Sequence, residues 1–344
     1  MSASGPAAVI VLAAGEGTRM KSPLPKTLHR VCGQTMLGHC LAAAAELAPS
    51  RLIVVVGHDA ERVTAHATEQ EPGAIIVVQD YLGGTGHAVR VVLETVGTIG
   101  GTVVVTYADT PLLTGATLSG LVRARETAGA AAAVLTARVS DPAGYGRIIR
   151  DDAGAFAAIV EHADATADQR AIGEINTGMY AFDGDLLADA VKRVRTDNSQ
   201  GEEYLTDAVS VLCCDGYPVV TVECQDFDEV QGVNDLAQLA RASRVMNSRL
   251  IEAMMRAGVK VADPATTWLD VGVDVAPGAS IGPGTQLEGS TSVAAGAAVG
   301  PGCLLRDTVV GPGATVIQSV CESAVIEGGA RIGPFAHLMN SHAE

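Results

Sequence analysis

Apolar positions in the first two-thirds of the chain follow two alternating patterns. Val9–Leu12, Leu52–Val56, Ile75–Gln79 and Thr102–Thr106 are short continuous runs, rich in Val and Ile, with the length of strands buried on both faces. Between them, Met36, Leu37, Cys40, Leu41, Ala44 and Leu47 recur at helical spacing, and Gly86–Val96 has helical character. This alternation predicts a mainly parallel sheet covered by helices, a Rossmann-like α/β domain. Ligands of such sheets sit beyond the carboxyl ends of the strands.

The pattern changes around Asn234–Ala257. Leu236, Leu239, Ala240, Ser243, Met246, Leu250 and Met254 mark a long helix, with Arg241, Arg244, Arg249 and Arg256 expected on its exposed side. From Leu269 it changes again. Val275, Ile281, Leu287, Val293, Val299 and Leu305 recur every six residues, with Gly and small residues between them. A five-residue step resets the phase at Val310, and Val316, Cys321, Ile326 and Ile332 continue it. An aliphatic at one fixed position of a short repeat predicts a parallel β-helix, each aliphatic pointing inward. The six-residue spacing resembles a left-handed β-helix, here of about four coils. The expected organisation is an α/β domain over 1–232, a linker helix over 233–265 and a short left-handed β-helix over 266–344.

Composition narrows the function. Hydrophobic residues are 48% and charged residues 18%, which excludes a disordered chain. Aromatics are 3%, so Val, Ala, Leu and Gly must build the core. A formal charge of −16 argues against a nucleic-acid partner. The 7 cysteines form no Cys-x-x-Cys pair, and reduced thiols in the cytoplasm are the expectation. No signal peptide and no membrane span are visible. An anionic ligand must then be held by a few local cations, backbone N–H groups and a metal ion.

The segment Leu12-Ala-Ala-Gly-Glu-Gly-Thr-Arg-Met-Lys-Ser-Pro-Leu-Pro-Lys-Thr-Leu-His29 carries that equipment. Gly15 and Gly17 let the backbone approach phosphate oxygens. Arg19 can grip two oxygens at once, and Lys26 acts as a point charge. The spacing is neither Gly-x-Gly-x-x-Gly nor a P-loop, because Met20 replaces the third Gly and no Gly-Lys-Ser/Thr follows. Asp109 stands after the strand Thr102–Thr106, where a carboxylate can hold Mg²⁺ or cap a turn. Asn234, in Gly232-Val-Asn-Asp235, is the second metal-ligand candidate or the N-cap of the following helix. Displacement at the α-phosphorus of a nucleoside triphosphate by a sugar 1-phosphate fits this set. The nucleophile is already largely dianionic, its second pKa being about 6, so no general base is required. Gln79 and Gly83-Gly-Thr-Gly-His87 can read a pyrimidine edge or form a glycine turn. Gly144-Tyr-Gly-Arg147, Ile159-Val-Glu161 and Ile175-Asn-Thr-Gly178 offer polar groups to a sugar or serve the fold.

The string Gly15-x-Gly-Thr-Arg-Met20 with Pro25-Lys26 resembles the signature of sugar-1-phosphate nucleotidyltransferases. Coupled to a hexapeptide helix, and with Gly84-Thr-Gly-His-Ala88, Asp141-Pro-Ala-Gly-Tyr-Gly-Arg147, Ile159-Val-Glu-His162, Glu174-Ile-Asn-Thr-Gly178 and Tyr204-Leu-Thr-Asp207, the chain resembles a narrower family from Val9 to about Ala336. That family is the bifunctional bacterial N-acetylglucosamine-1-phosphate uridyltransferase/glucosamine-1-phosphate acetyltransferase. The resemblance implies uridine-nucleotide contacts from Leu12, Ala13, Ala14, Gly15, Lys26, Gln79, Gly84 and Thr85. It implies sugar contacts from Tyr107, Gly146, Glu161, Asn176 and Asn234, and Mg²⁺ held by Asp109 and Asn234. Arg19, Lys26 and Asp109 are the implied catalytic set, UTP and N-acetylglucosamine 1-phosphate the implied substrates, and a homotrimer through the β-helix the implied assembly. UDP-N-acetylglucosamine, a precursor of bacterial cell-wall polymers such as peptidoglycan, is the implied product. A different sugar, or a non-catalytic nucleotide-sugar module on the same fold, are the alternatives.

Three departures from the family pattern stand out. Ala108 replaces a Gly and Asp235 replaces an Asn. The pattern also leaves the family at His337-Leu-Met-Asn340, so a truncated acetyltransferase domain without acetyl transfer is expected, and neither His337 nor His342 matches the family's catalytic His.

Overall fold

The apolar runs are strands of one nine-stranded sheet in a computed structural model that describes residues 5–344. Its order is Val219–Glu223, Ala132–Arg138, Glu174–Asp183, Thr102–Tyr107, Ala8–Leu12, Leu52–Val56 and Ile75–Val78. A hairpin of Gly146–Arg150 and Phe156–Val160 joins it through Glu174–Asp183. Ala8–Leu12 is buried along its whole length because helices cover both faces. Successive residues therefore serve opposite cores. Ile10, Ile53, Val55, Val103 and Val105 pack with Val89, Val92, Leu187, Leu205 and Val209. Val9, Val11, Val54, Val56 and Val104 pack with Leu37, Leu41, Val63, Leu118 and Leu121.

The expected parallel sheet carries one reversal. Glu174–Asp183 runs antiparallel to both Thr102–Tyr107 and Ala132–Arg138. A parallel return needs a helical crossover, and the chain between Ala132–Arg138 and Glu174 instead runs through the hairpin and the four-residue helix Ala167–Arg170. Contacts divide the chain into two compact units. One comprises Met1–His29 and Thr35–Leu236, the other Arg30–Gln34 and Ala237–Glu344.

The helix Leu236–Arg256 carries the chain into the second unit. Its buried positions are Ala242, Asn247 and Ile251, whereas Leu236 and Ala240 from the expected apolar stripe are exposed. Arg241, Arg244 and Arg256 are exposed as expected, and Arg249 is half-buried. Asn247 is the polar residue on the buried face. Its amide donates to the Thr267 carbonyl at 2.8 Å and accepts from the Leu269 N–H at 2.9 Å. It thus supplies both ends of a backbone-like pairing to the first rung of the β-helix.

The remainder is a left-handed β-helix with three parallel sheets of five short strands. Ile281, Val299 and Val316 stack on one face, Leu287, Leu305 and Cys321 on the second, and Val293, Val310 and Ile326 on the third. Every interior position named is aliphatic except Cys321, a small apolar thiol, because each residue's neighbours above and below are its own equivalents. Five rungs form on each face rather than about four. His337–Met339 and His342–Ala343 continue the ladder beyond the family-like pattern, with Leu338 paired to Cys321 and Ala343 to Ile326. Backbone pairing with the rung below sustains those strands whatever their side chains.

Replacing Asn247 by Leu is expected to destabilise the second unit by about 2–4 kcal/mol, because a buried backbone donor and acceptor both lose their partner. Urea unfolding followed by circular dichroism measures this.

Candidate functional site

Three backbone bonds continue the central sheet past its strand ends. Ala13 donates to Val55 at 2.8 Å, Gln79 to Val56 at 2.8 Å and Ala108 to Leu12 at 3.0 Å. They align the glycine loop, Gln79 and the Tyr107–Asp109 segment at one edge. A cavity of about 310 Å³ opens there, lined by Leu12, Ala13, Ala14, Gly15, Lys26, Gln79, Gly84, Thr85, Tyr107 and Asp109. Every residue expected to meet the nucleotide lies on it. Thr27, Leu82, Ala88 and Glu202 also line it, and sequence reasoning did not single them out. Glu202 had no signal of its own, because only tertiary folding brings the 200s to the glycine loop.

The glycine loop spends few of its backbone donors within the protein. Among the described residues, the N–H groups of Ala14, Gly15, Glu16 and Gly17 donate to no protein acceptor. A Cβ at Gly15 would meet nothing within 4 Å, so no packing reason explains that glycine. Gly17 differs. It sits at φ +64°, and a Cβ there would clash with the Lys26 Cβ. Gly17 therefore lets the Lys26 stem lie against the loop, which aims its ammonium at the strand end.

That ammonium donates to Asp109 Oδ2 at 2.5 Å and to Asn234 Oδ1 at 2.7 Å. The Val233 N–H donates to the Asp109 carbonyl at 2.8 Å, which sets Asn234 beside Asp109. The helix begins at Leu236, two positions beyond Asn234. One carboxylate oxygen and one amide oxygen thus face a single point. Arg19 is exposed, makes no ion pair among the described residues and does not line the cavity.

The expected sugar-contacting residues gather from one direction. Tyr107 lines the cavity. Gly178, at φ +83° in the bulge of Glu174–Asp183, leaves room for it, since a Cβ there would run into its ring. Gly146 borders Asn176 and Glu161, with a notional Cβ 3.4 Å from each. Glu161 accepts from the Thr206 hydroxyl at 3.1 Å. Burial pushes its carboxyl above the usual carboxylate value; the Thr206 bond opposes this, and Asp207 and Asp164 add to it. Burial likewise pushes the Tyr107 hydroxyl up, aided by Glu161 and Asp109. Asn176 is engaged within the protein: it donates to the Tyr180 hydroxyl at 2.7 Å and accepts from the Gly178 N–H at 3.1 Å. It shapes the bulge that admits Tyr107.

No group of three or more His, Cys, Asp or Glu residues suited to a metal occurs among the described residues. None of the seven cysteines is in a disulfide. No helix is long and apolar enough to cross a membrane.

The packing distinguishes the two loop glycines. Gly17→Ala should cost roughly 1–2 kcal/mol or more, for its positive φ and its clash with Lys26, whereas Gly15→Ala should stay within about 0.5 kcal/mol. Thermal unfolding compares them. Glu161, its pKa raised on folding, costs nothing where both states are protonated and costs stability as pH rises above 4.5. Glu161→Gln should therefore gain on the wild type between about pH 4 and about pH 7, read from urea midpoints at each pH.

Residues 9–176 match the MobA-like NTP transferase domain family. The bifunctional protein GlmU of Thermobifida fusca is 56% identical over 330 residues, covering 95% of this chain and 68% of that protein. Those of Streptomyces avermitilis and Streptomyces coelicolor are 55% and 54% identical over 340 residues, covering 98% of this chain and 70% of each. With the cavity at the strand ends and the hexapeptide β-helix in the second unit, these likenesses make the chain a member of the bifunctional GlmU family, its first unit the sugar-1-phosphate uridyltransferase enzyme.

Proposed function

We propose that residues 1–232, with Asn234, transfer UMP from UTP to N-acetylglucosamine 1-phosphate, giving UDP-N-acetylglucosamine and pyrophosphate. The observation that carries this reading is the run of free N–H groups from Ala14 to Gly17 beside the Lys26 ammonium. Such a run is a nest for phosphate oxygens. In a chain of formal charge −16, these local donors offset the field that would repel a triphosphate.

The residues divide the work. Leu12 to Gly15 bind the nucleotide along the sheet edge, and Gln79, Gly84 and Thr85 border the base. Lys26 neutralises charge on the phosphates, and Arg19, free in solvent beside the loop, does so at the pyrophosphate end. Glu161, Gly146 and Tyr107 meet the sugar, with Asn176 acting through the bulge. No residue is needed to take a proton from the attacking phosphate oxygen, since that group is already ionised near neutral pH. Alignment of two anions and neutralisation of developing charge are what remain.

Asp109 and Asn234 fit Mg²⁺. Both present hard oxygens to one point, held here by the Lys26 ammonium, which would turn to the phosphates when an ion takes its place; few protein ligands suit an ion that takes further oxygens from substrate. When bound, the ion would supply positive charge against the negative charge of the substrate phosphates. The same reading includes a cytoplasmic setting for the reaction and a homotrimer formed through residues 266–344, with 233–265 as linker. His337 and His342 lie exposed on the last rung, His342 beside Glu327 at 2.8 Å.

Incubation with UTP, Mg²⁺ and N-acetylglucosamine 1-phosphate should release pyrophosphate, and Asp109→Ala should lower that rate by at least about a hundredfold. Release with glucose 1-phosphate alone would move the assignment to another sugar. No release with either would leave a binding module.

A further inference from the structure

Gln79 lies at the base-proximal wall with its side chain held in one sense. Its Nε2 is 3.1 Å from the Gly84 carbonyl oxygen and 2.8 Å from His87 Nδ1. A carbonyl only accepts, so the NH₂ end of the amide must face Gly84; the flipped amide would set two oxygens against each other. With the NH₂ there, His87 Nδ1 must accept as well, which places the proton of a neutral imidazole on Nε2. Both hydrogens of the amide are then used inside the protein. Oε1 has no protein partner among the described residues and is not a buried orphan, although Gln79 itself is buried and lines the cavity. The amide therefore offers the cavity an acceptor and no donor.

The imidazole is itself fixed. Tyr81 stacks on it with ring centroids 4.2 Å apart and planes inclined by 29°. A Cβ at Gly83 would lie 2.8 Å from its Cγ and Nδ1, so only glycine permits this approach. His87 is buried and does not line the cavity. A buried ring clamped by a stacked tyrosine and a glycine, with one nitrogen on the amide, is a device for orienting that amide.

Resting on the uridyl-transfer reading, we propose that His87 is a specificity-determining positioning residue. Through Nδ1, and together with the Gly84 carbonyl, it keeps Gln79 Oε1 turned to the base. A pyrimidine whose N3 carries a hydrogen, uracil, can donate to that oxygen. One whose N3 carries a lone pair, cytosine, meets it with repulsion.

The test compares kcat/KM for UTP and CTP. His87→Phe keeps a ring beside Tyr81 but removes the acceptor. It should lower the UTP-to-CTP ratio by about tenfold or more. His87→Asn packs less well but returns an acceptor oxygen near the Nδ1 position, and should keep the ratio within about threefold of wild type. Should His87→Phe not fold by circular dichroism, His87→Ala supplies the same comparison. An unchanged ratio in the folded variant lacking the acceptor overturns the proposal. So does an equal fall in His87→Asn, which would mark a packing role. Failure of the wild type to use UTP at all would instead sink the uridyl-transfer reading, a distinct result.

Discussion

The Lys26 ammonium is the point on which this site closes. It joins the glycine loop, the end of a central strand and the segment before the long helix, positions separated by 83 and 208 residues in the chain. A lone Asp109 at a strand end, in a chain this acidic, would be a poor place to bring a triphosphate. Paired with a cation, the same carboxylate becomes part of a site able to accept more negative charge. Gly17 lets that cation in, and the Val233–Asp109 backbone bond brings Asn234 within its reach.

From that point the cavity is graded in character. At the glycine loop, the groups turned to the cavity are mostly backbone N–H donors, which add no net charge and need little reorganisation. At the Gln79 wall, a buried amide with its donors already used presents one acceptor. Beside Tyr107, polar groups come from an antiparallel bulge and a hairpin, elements that a purely parallel sheet would not supply at this edge. The mixed sheet thus shapes this edge, since it brings Gly146, Glu161 and Gly178 round to Tyr107.

Much of this was legible in the chain. Fully buried strands advertise themselves as continuous apolar runs, so Val9–Leu12 and Leu52–Val56 were found almost to the residue. The β-helix was legible because stacking equivalents forces one aliphatic phase. The helix Leu236–Arg256 was legible as a helix and partly in its packed face, where Leu250 and Met254 meet the β-helix core, but not in Asn247, an inward polar residue that carries no hydrophobic signal. Asn176 was legible as a polar residue, but its bond to Tyr180 was not, because a side chain's partner depends on what folds beside it.

The sequence alone determined the element types, the repeat and the cation-flanked glycine loop, because these follow from local periodicity, glycine freedom and the few cations present. Tertiary structure alone decided the direction of Glu174–Asp183, the meeting of Lys26 with Asp109 and Asn234, and the sense in which His87 holds Gln79. Each of those depends on which donor faces which acceptor at about 3 Å, mostly across long sequence separations, and no local pattern encodes that.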